Sequence, residues 1–264
     1  GDVQLTREAW PNLTASDDPT QTENSITNEL SNPQFVDVLF NPDYGVTISI
    51  VGSVSNEVYP IAPDWDLVVS TNGNATVTIN RISLAGSLNL ITNPPYRLDI
   101  LAGGGNLTAV RLRQRLNHNP GIWANDFLAG TMVISSLDGS PHTITMLYAP
   151  SVAAAETTVV TGSTGASGYV QLRNTIEVVP SVNTDDADTG YVDIIIECPV
   201  SGEYSVTSIQ AVGLNTDDQD VLFDQEPVNR QEDHLFNYYD SLLQYKPIAS
   251  FLVGWNFPFN MAAP

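Results

Sequence analysis

The chain is expected to fold as an all-β, antiparallel two-sheet jelly-roll sandwich, and three features of its 264 residues point there. Short runs rich in Val, Ile, Thr and Tyr recur with period-two alternation, the pattern of strands buried on one face. Turn clusters of Gly, Asn, Asp and Pro separate them at uneven intervals. Between residues 34 and 225 no stretch shows helical periodicity, which excludes crossover helices and a parallel sheet. The spacing is too irregular for a propeller, and no internal repeat is present.

In chain order, residues 1–33 are polar and without sustained period, and read as an extended N-terminal arm with Trp10 and Leu13 as anchors. Strand-like runs follow: "VDVLF", "GVTISIVGSV", "DLVVS", "ATVTINRIS", "YRLDIL", "TAVRLRQRL", "GTMVISSL", "HTITMLY", "ETTVV", "YVQLRNTIEVV", "YVDIIIECPV" and "EYSVTSIQAVGL". Between them lie the turns "NPDYG", "TNGN", "LAGGGN", "LDGSP", "TGSTGASG" and "NTDDADTG". After a linker from residue 226, "DHLFNYYDSLLQYKP" places Leu235, Tyr239 and Leu242 on one face of an amphipathic helix that Pro247 ends. Residues 248–264 are apolar, aromatic and uncharged, a tail that needs a partner surface.

Charge narrows the function. Thirty acidic residues against nine basic ones give −21, and Lys246 is the sole lysine. Such a field repels polyanions, so nucleic acid is excluded as a partner through any general basic surface, and anionic membranes are disfavoured. No apolar run is long enough to span a bilayer, so no membrane insertion is expected. Cys198 is the only cysteine, which rules out an internal disulfide framework and reads as a buried, inert thiol. His118 and His142 fall in loops and read as solvated; no metal-site spacing links them to His234.

Few residues offer chemistry, and catalytic residues are expected to be none. "LAGGGN" lacks the Lys-Ser/Thr of a phosphate loop, and no nucleophile elbow is present. Trp65 with Asp66, and Trp123 with Asp126, set acids beside large aromatics. These tryptophans either plug the sandwich or, with Asp66, form a glycan-binding platform; a paired-acid glycosidase would need two acids converging across a cleft. Asp185, Asp186 and Asp188 crowd a Gly-terminated turn whose oxygens suit a structural Ca²⁺, but the spacing is not that of an EF-hand and a solvated acidic turn is the favoured reading. No other cofactor is implied. Arg111, Arg113 and Arg115 alternate along one strand, so they share one face opposite Val110, Leu112, Gln114 and Leu116, to meet carboxylates of this chain or of a neighbouring subunit.

The order of these segments carries a resemblance. "NPQFVDVLFNPDYG", "PDWDLVVS", "VRLRQRL", a Trp before "FLAGTMVISS", "SPHTITMLYAP", "GYVQLRNTIEVV" and "DADTGYVDIIIECPVSGEYSVTSIQAVGL" precede the Tyr-Tyr helix. This series resembles the jelly-roll, carbohydrate-binding-module-like domains of bacteriophage tail fibres and virion appendages over residues 34–245. Ile209, Gln210 and Gly213 match the family's last strand, and Arg230, Tyr238 and Tyr239 match its arginine and helix. Departures are Val212 near a position usually held by Glu, no Cys before the tyrosines, and a longer acidic loop before Arg230. "FLVGWNFPFN" also resembles a segment of phage structural proteins.

The resemblance implies a non-enzymatic virion protein, a tail-fibre or spike subunit that contacts other virion proteins and copies of itself, as a trimer. Host-surface carbohydrate is a ligand it allows. Trp10, Tyr238, Tyr239, Phe251, Trp255 and Phe257, with the three arginines, are then the expected subunit contacts. A head or neck decoration protein, and a carbohydrate-binding module of a polysaccharide-active enzyme, are the alternatives.

Overall fold

The computed structural model describes residues 28–84, 96–103, 105–116, 127–151, 155–178 and 190–214. Twelve strands follow one another: β1 (Val46–Ile50), β2 (Ser53–Ala62), β3 (Trp65–Asn72), β4 (Ala75–Ser83), β5 (Tyr96–Gly103), β6 (Leu107–Leu116), β7 (Phe127–Ser136), β8 (Thr143–Pro150), β9 (Thr157–Ser163), β10 (Tyr169–Glu177), β11 (Val192–Cys198) and β12 (Gly202–Leu214). They form two six-stranded antiparallel sheets, ordered β1-β4-β5-β12-β7-β10 and β2-β3-β6-β11-β8-β9. From β5 onward the chain crosses between sheets at every step except the β8–β9 hairpin. That wrapping, four strands in each sheet with β12 returning between β5 and β7, is a jelly roll. The first four strands widen it, with β4 and β1 extending one sheet beyond β5 and β3 and β2 extending the other beyond β6.

Alternation does what the sequence pattern requires. On β6, Val110, Leu112, Gln114 and Leu116 turn inward and are buried. They face Val77, Ile79, Leu98, Ile100, Met132 and Ile134 of the other sheet in one continuous core. Trp65 and Tyr204 are the largest fully buried side chains, and both polar tips are satisfied. The Trp65 Nε1 donates to the Ser31 carbonyl (2.9 Å), and the Tyr204 hydroxyl donates to the Pro199 carbonyl (2.8 Å). Cys198 is buried in this core, and burial pushes its thiol up to about 12, so it stays protonated and inert as expected.

Four expectations change. The "VDVLF" run is not a strand. The Asn32 side chain grips the backbone of Asp37 from both sides, and Phe35 adopts φ 52°, so the segment coils and drops Phe35 and Val38 into the core. "GVTISIVGSV" is two strands, because Gly52, at φ 83°, breaks the extended run and sends the chain to the other sheet. The last described part of the arm, residues 28–33, is docked, with Leu30 and Asn32 each 1% exposed. Its partner is the irregularity in β12 between Thr207 and Gln210, where Ser208 takes φ 48°. There the Ile209 N–H donates to the Pro33 carbonyl (3.0 Å) and the Ile209 carbonyl accepts from Asn28 Nδ2 (3.4 Å). The arm thus takes up backbone groups that the bulge releases from the ladder.

The fourth change is His142, which is buried and bound to Asp138. Asp138 ties the β7–β8 loop to the β11–β12 turn. One oxygen accepts from the Ser140 N–H, the Ser136 hydroxyl and His142 Nε2; the other accepts from the Glu203 N–H (3.0 Å). Gly202 must be glycine here, since a Cβ would lie 2.3 Å from the His142 ring and φ is 102°. The amide bonds from Ser140 and Glu203, then the His142 contact, hold the Asp138 carboxyl well below its ordinary value. The amphipathic helix, and residues 248–264 behind it, lie outside the described residues.

Two outcomes test this account. Trp65→Ala should lower unfolding free energy by about 3–5 kcal/mol in urea titrations, because it leaves a void in the core and removes one of the two donors to the Ser31 carbonyl. Asp138→Asn should lower Tm at neutral pH. A depressed folded-state pKa stabilises above the ordinary carboxyl range and is lost as pH falls through it, so scanning calorimetry should show the difference closing in strong acid.

Candidate functional site

The outward face of the sheet β2-β3-β6-β11-β8-β9 carries a layer of paired charges. Its origin is register. Arg115, Arg113 and Arg111 on β6 stand opposite Asp193, Ile195 and Glu197 on β11, and Arg113 and Arg111 stand opposite Asp66 and Val68 on β3. Each arginine therefore finds a carboxylate within reach on a neighbouring strand. Arg115 is bidentate to Asp193 (2.8 and 2.9 Å). Arg113 binds Asp66 (2.7 Å), and Arg111 bridges Glu156 (2.8 Å) and Glu197 (2.9 Å). All four acids belong to this chain, so the expected shared face and its acidic partners are present without a neighbouring subunit.

Electrostatics keep this layer charged. Bonding to Asp193 raises the Arg115 pKa. Burial works against the Arg111 charge, but Glu197 and Glu156 outweigh it and its pKa is raised as well. Val68 and Ile195, the cross-strand neighbours of Arg111 and Arg113, and Leu147 beyond Ile195 are buried on this outward face. Nε of Arg111 and of Arg113 is buried without an acceptor among the described residues, so the terminal nitrogens alone make the pairs.

Beside this layer, where β8 ends and β11 begins, a cleft of about 250 Å³ opens. Pro150, Ser151, Glu156, Tyr191, Asp193 and Ile195 line it. The Ser151 N–H donates to the Tyr191 carbonyl (2.9 Å) and the Tyr191 N–H to Ser151 Oγ (3.0 Å), which fixes the rim. The Arg115 guanidinium lies 3.4 Å from the Tyr191 ring centroid and covers one face of the ring. The cleft thus combines an aromatic ring, aliphatic groups of Pro150 and Ile195, and two carboxylates already held in place by arginines.

The sequence-derived platform is placed differently. Trp65 is fully enclosed and packs on Phe35 with ring centroids 5.6 Å apart, so it offers no face to a glycan. Asp66, its neighbour, points outward and joins the arginine layer. Trp123 and Asp126, the calcium candidates Asp185, Asp186 and Asp188, and the expected contacts Trp10, Tyr238, Tyr239, Phe251, Trp255 and Phe257 lie outside the described residues. Among the described residues no group of three or more acidic, His or Cys side chains could hold a metal. Tyr191 and Glu156 escaped sequence reasoning because each sits in or next to a turn signal, and only the fold brings them to Asp193.

No family model and no curated protein matches the chain. Solved structures do. The C-terminal family 22 carbohydrate-binding module of Clostridium thermocellum Xyn10B is 18% identical over 60% of this chain and 89% of its own, with a TM-score of 0.37. TmCBM61, solved with β-1,4-galactotriose, is 12% identical over 70% and 97%, also at 0.37. The enzymatically active domain of bacteriophage CBA120 tailspike protein 4 is 9% identical over 71% of this chain and 21% of its own, at 0.39. In a longer Clostridium thermocellum xylanase chain the match spans 28% of that protein. All these scores are low, and the jelly-roll assignment stands on strand order alone.

The pairing itself is testable. Asp193→Ala should cost about 1 kcal/mol in chemical denaturation, since Arg115 is 40% exposed and water takes over its hydrogen bonds.

Proposed function

We propose that this chain is a non-catalytic carbohydrate-binding jelly roll that takes neutral oligosaccharide in the Tyr191 cleft. The observation that carries the reading is the joint presence there of Tyr191, Glu156 and Asp193, held by Ser151, Arg111 and Arg115. A sugar ring presents apolar C–H faces and hydroxyls that both donate and accept. An aromatic ring and Ile195 suit the first, and prepositioned carboxylates and guanidinium groups suit the second. Because these groups are locked before ligand arrives, little ordering opposes binding. The net charge of −21 turns away acidic polysaccharides. The four acids of the layer are each engaged by an arginine, which leaves them as binding groups and not as an acid–base pair.

A second reading places the same domain in a virion, as a tail-fibre, spike or other appendage subunit among copies of itself and other virion proteins. It is favoured by the order of segments over residues 34–245. The two readings are compatible, since an appendage can carry a glycan-binding module. A structural Ca²⁺ at Asp185, Asp186 and Asp188 belongs to the proposal on the chemistry of the donors alone.

Neutral oligosaccharides titrated calorimetrically into the full chain should show saturable binding. Tyr191→Ala should weaken it about 30-fold or more, the effect of losing a central aromatic contact. Glu156→Gln should weaken it less. Binding unchanged in Tyr191→Ala, or absent from every neutral glycan at millimolar concentration, would refute the reading.

A further inference from the structure

Two sheet edges lie at the β1 and β2 end of the strand orders, and they are built differently. β2 carries two register shifts against β3, a positive-φ Asn56, an exposed Glu57 and Pro60, all devices that stop another strand from pairing. β1 carries none of them. It pairs with β4 in unbroken register from Val46 to Ile50, and among the described residues no strand lies beyond it. Its inward-facing Val46 and Ile48 stay only partly buried, although both pack against the core that encloses Ile50. Among the described residues the edge is short, regular and unprotected.

We propose that β1 is a contact between two copies of this chain, paired antiparallel about a two-fold axis at Ile48. The occupant follows from self-complementarity. With Ile48 opposite Ile48 of the second copy, Val46 meets Ile50 on the inward face, and Thr47 meets Ser49 on the outward one. Apolar side chains fall on apolar ones and hydroxyls on hydroxyls, as paired strands require. The same register treats the two most exposed large hydrophobic side chains, Tyr44 (84%) and Val51 (82%), which flank β1 on either side. Val51 falls beside Gly45 of the other copy, and Tyr44 beside Gly52, where a Cβ would meet no atom within 4 Å.

Charge points to the same place. In a chain of −21, two copies must approach where charge is absent. From Tyr44 to Asn56 and from Leu67 to Asn80 the one ionisable side chain is the Tyr44 phenol, and Arg81 follows near the end of β4. Pairing joins the two six-stranded sheets into one that runs through both copies, and each copy's carbohydrate cleft, on the opposite sheet, is left uninvolved.

Two experiments on the full chain decide. Ile48→Cys brings two thiols together at the axis, where facing Cα atoms are about 4.5–5.5 Å apart, within disulfide range. Mild oxidation should give a covalent dimer; Cys198 is buried and does not compete. Val58→Cys, on the protected β2 edge, should not cross-link. Equal cross-linking of both, or none in Ile48→Cys, overturns the proposal. Because residue 48 packs on the core, a second pair of variants alters only exposed positions. Thr47→Lys with Ser49→Lys sets like charges directly opposite and should raise the dimer dissociation constant about tenfold or more in sedimentation equilibrium. Thr47→Lys with Ser49→Glu sets opposite charges facing and should retain the dimer. Identical behaviour of the two double variants, or a wild-type chain that stays monomeric, overturns it.

Discussion

Two buried side chains with polar groups, Trp65 and Gln114, must find partners or destabilise the sandwich, and both find them in Ser31. The Ser31 carbonyl accepts from the Trp65 indole (2.9 Å) and from Gln114 Nε2 (3.1 Å), and the Ser31 N–H donates to Gln114 Oε1 (2.9 Å). An unpaired buried amide or indole costs roughly 1–3 kcal/mol, so this node pins the polypeptide entering the fold to β3 and β6. Once Ser31 is held, Leu30 and Phe35 reach the core on either side of it. The same segment then meets the bulge of β12, whose Ile209 backbone it satisfies. Closure of one end of the jelly roll, and the irregular path of its last strand, are consequences of one buried hydrogen-bonding requirement.

The two faces of β6 show how a single alternation separates an apolar face from a charged one. Inward, Val110, Leu112, Gln114 and Leu116 belong to the core. Outward, three guanidinium groups are too polar to bury alone and so order four carboxylates around them. Pairs this exposed add little to stability, on the order of 0–1 kcal/mol each. Their value is geometric. They hold Glu156 and Asp193 at fixed positions beside Tyr191.

Some of this was legible in the amino-acid order. Period-two alternation and turn residues determined the all-β class, the antiparallel sheets and the common face of Arg111, Arg113 and Arg115, because side-chain direction in a strand is a local property. Loneliness and apolar surroundings determined the inert Cys198. The excess of acid over base set the net charge of −21.

Tertiary structure alone decided the rest. Whether Trp65 faced ligand or core depended on Phe35 and Ser31, more than thirty residues' separation in sequence for the latter being invisible to any local pattern. His142 reads as a loop residue until Gly202 and Asp138 close around it. "VDVLF" has strand composition, yet the Asn32 side chain coils it because backbone hydrogen bonds to a nearby amide compete with a ladder. The cleft joins Glu156, Tyr191 and Asp193 from segments that meet only when β11 lies beside β8. Local periodicity sets which way a side chain points, but which strands become neighbours is set by how the whole core closes, and a binding site is made of neighbours.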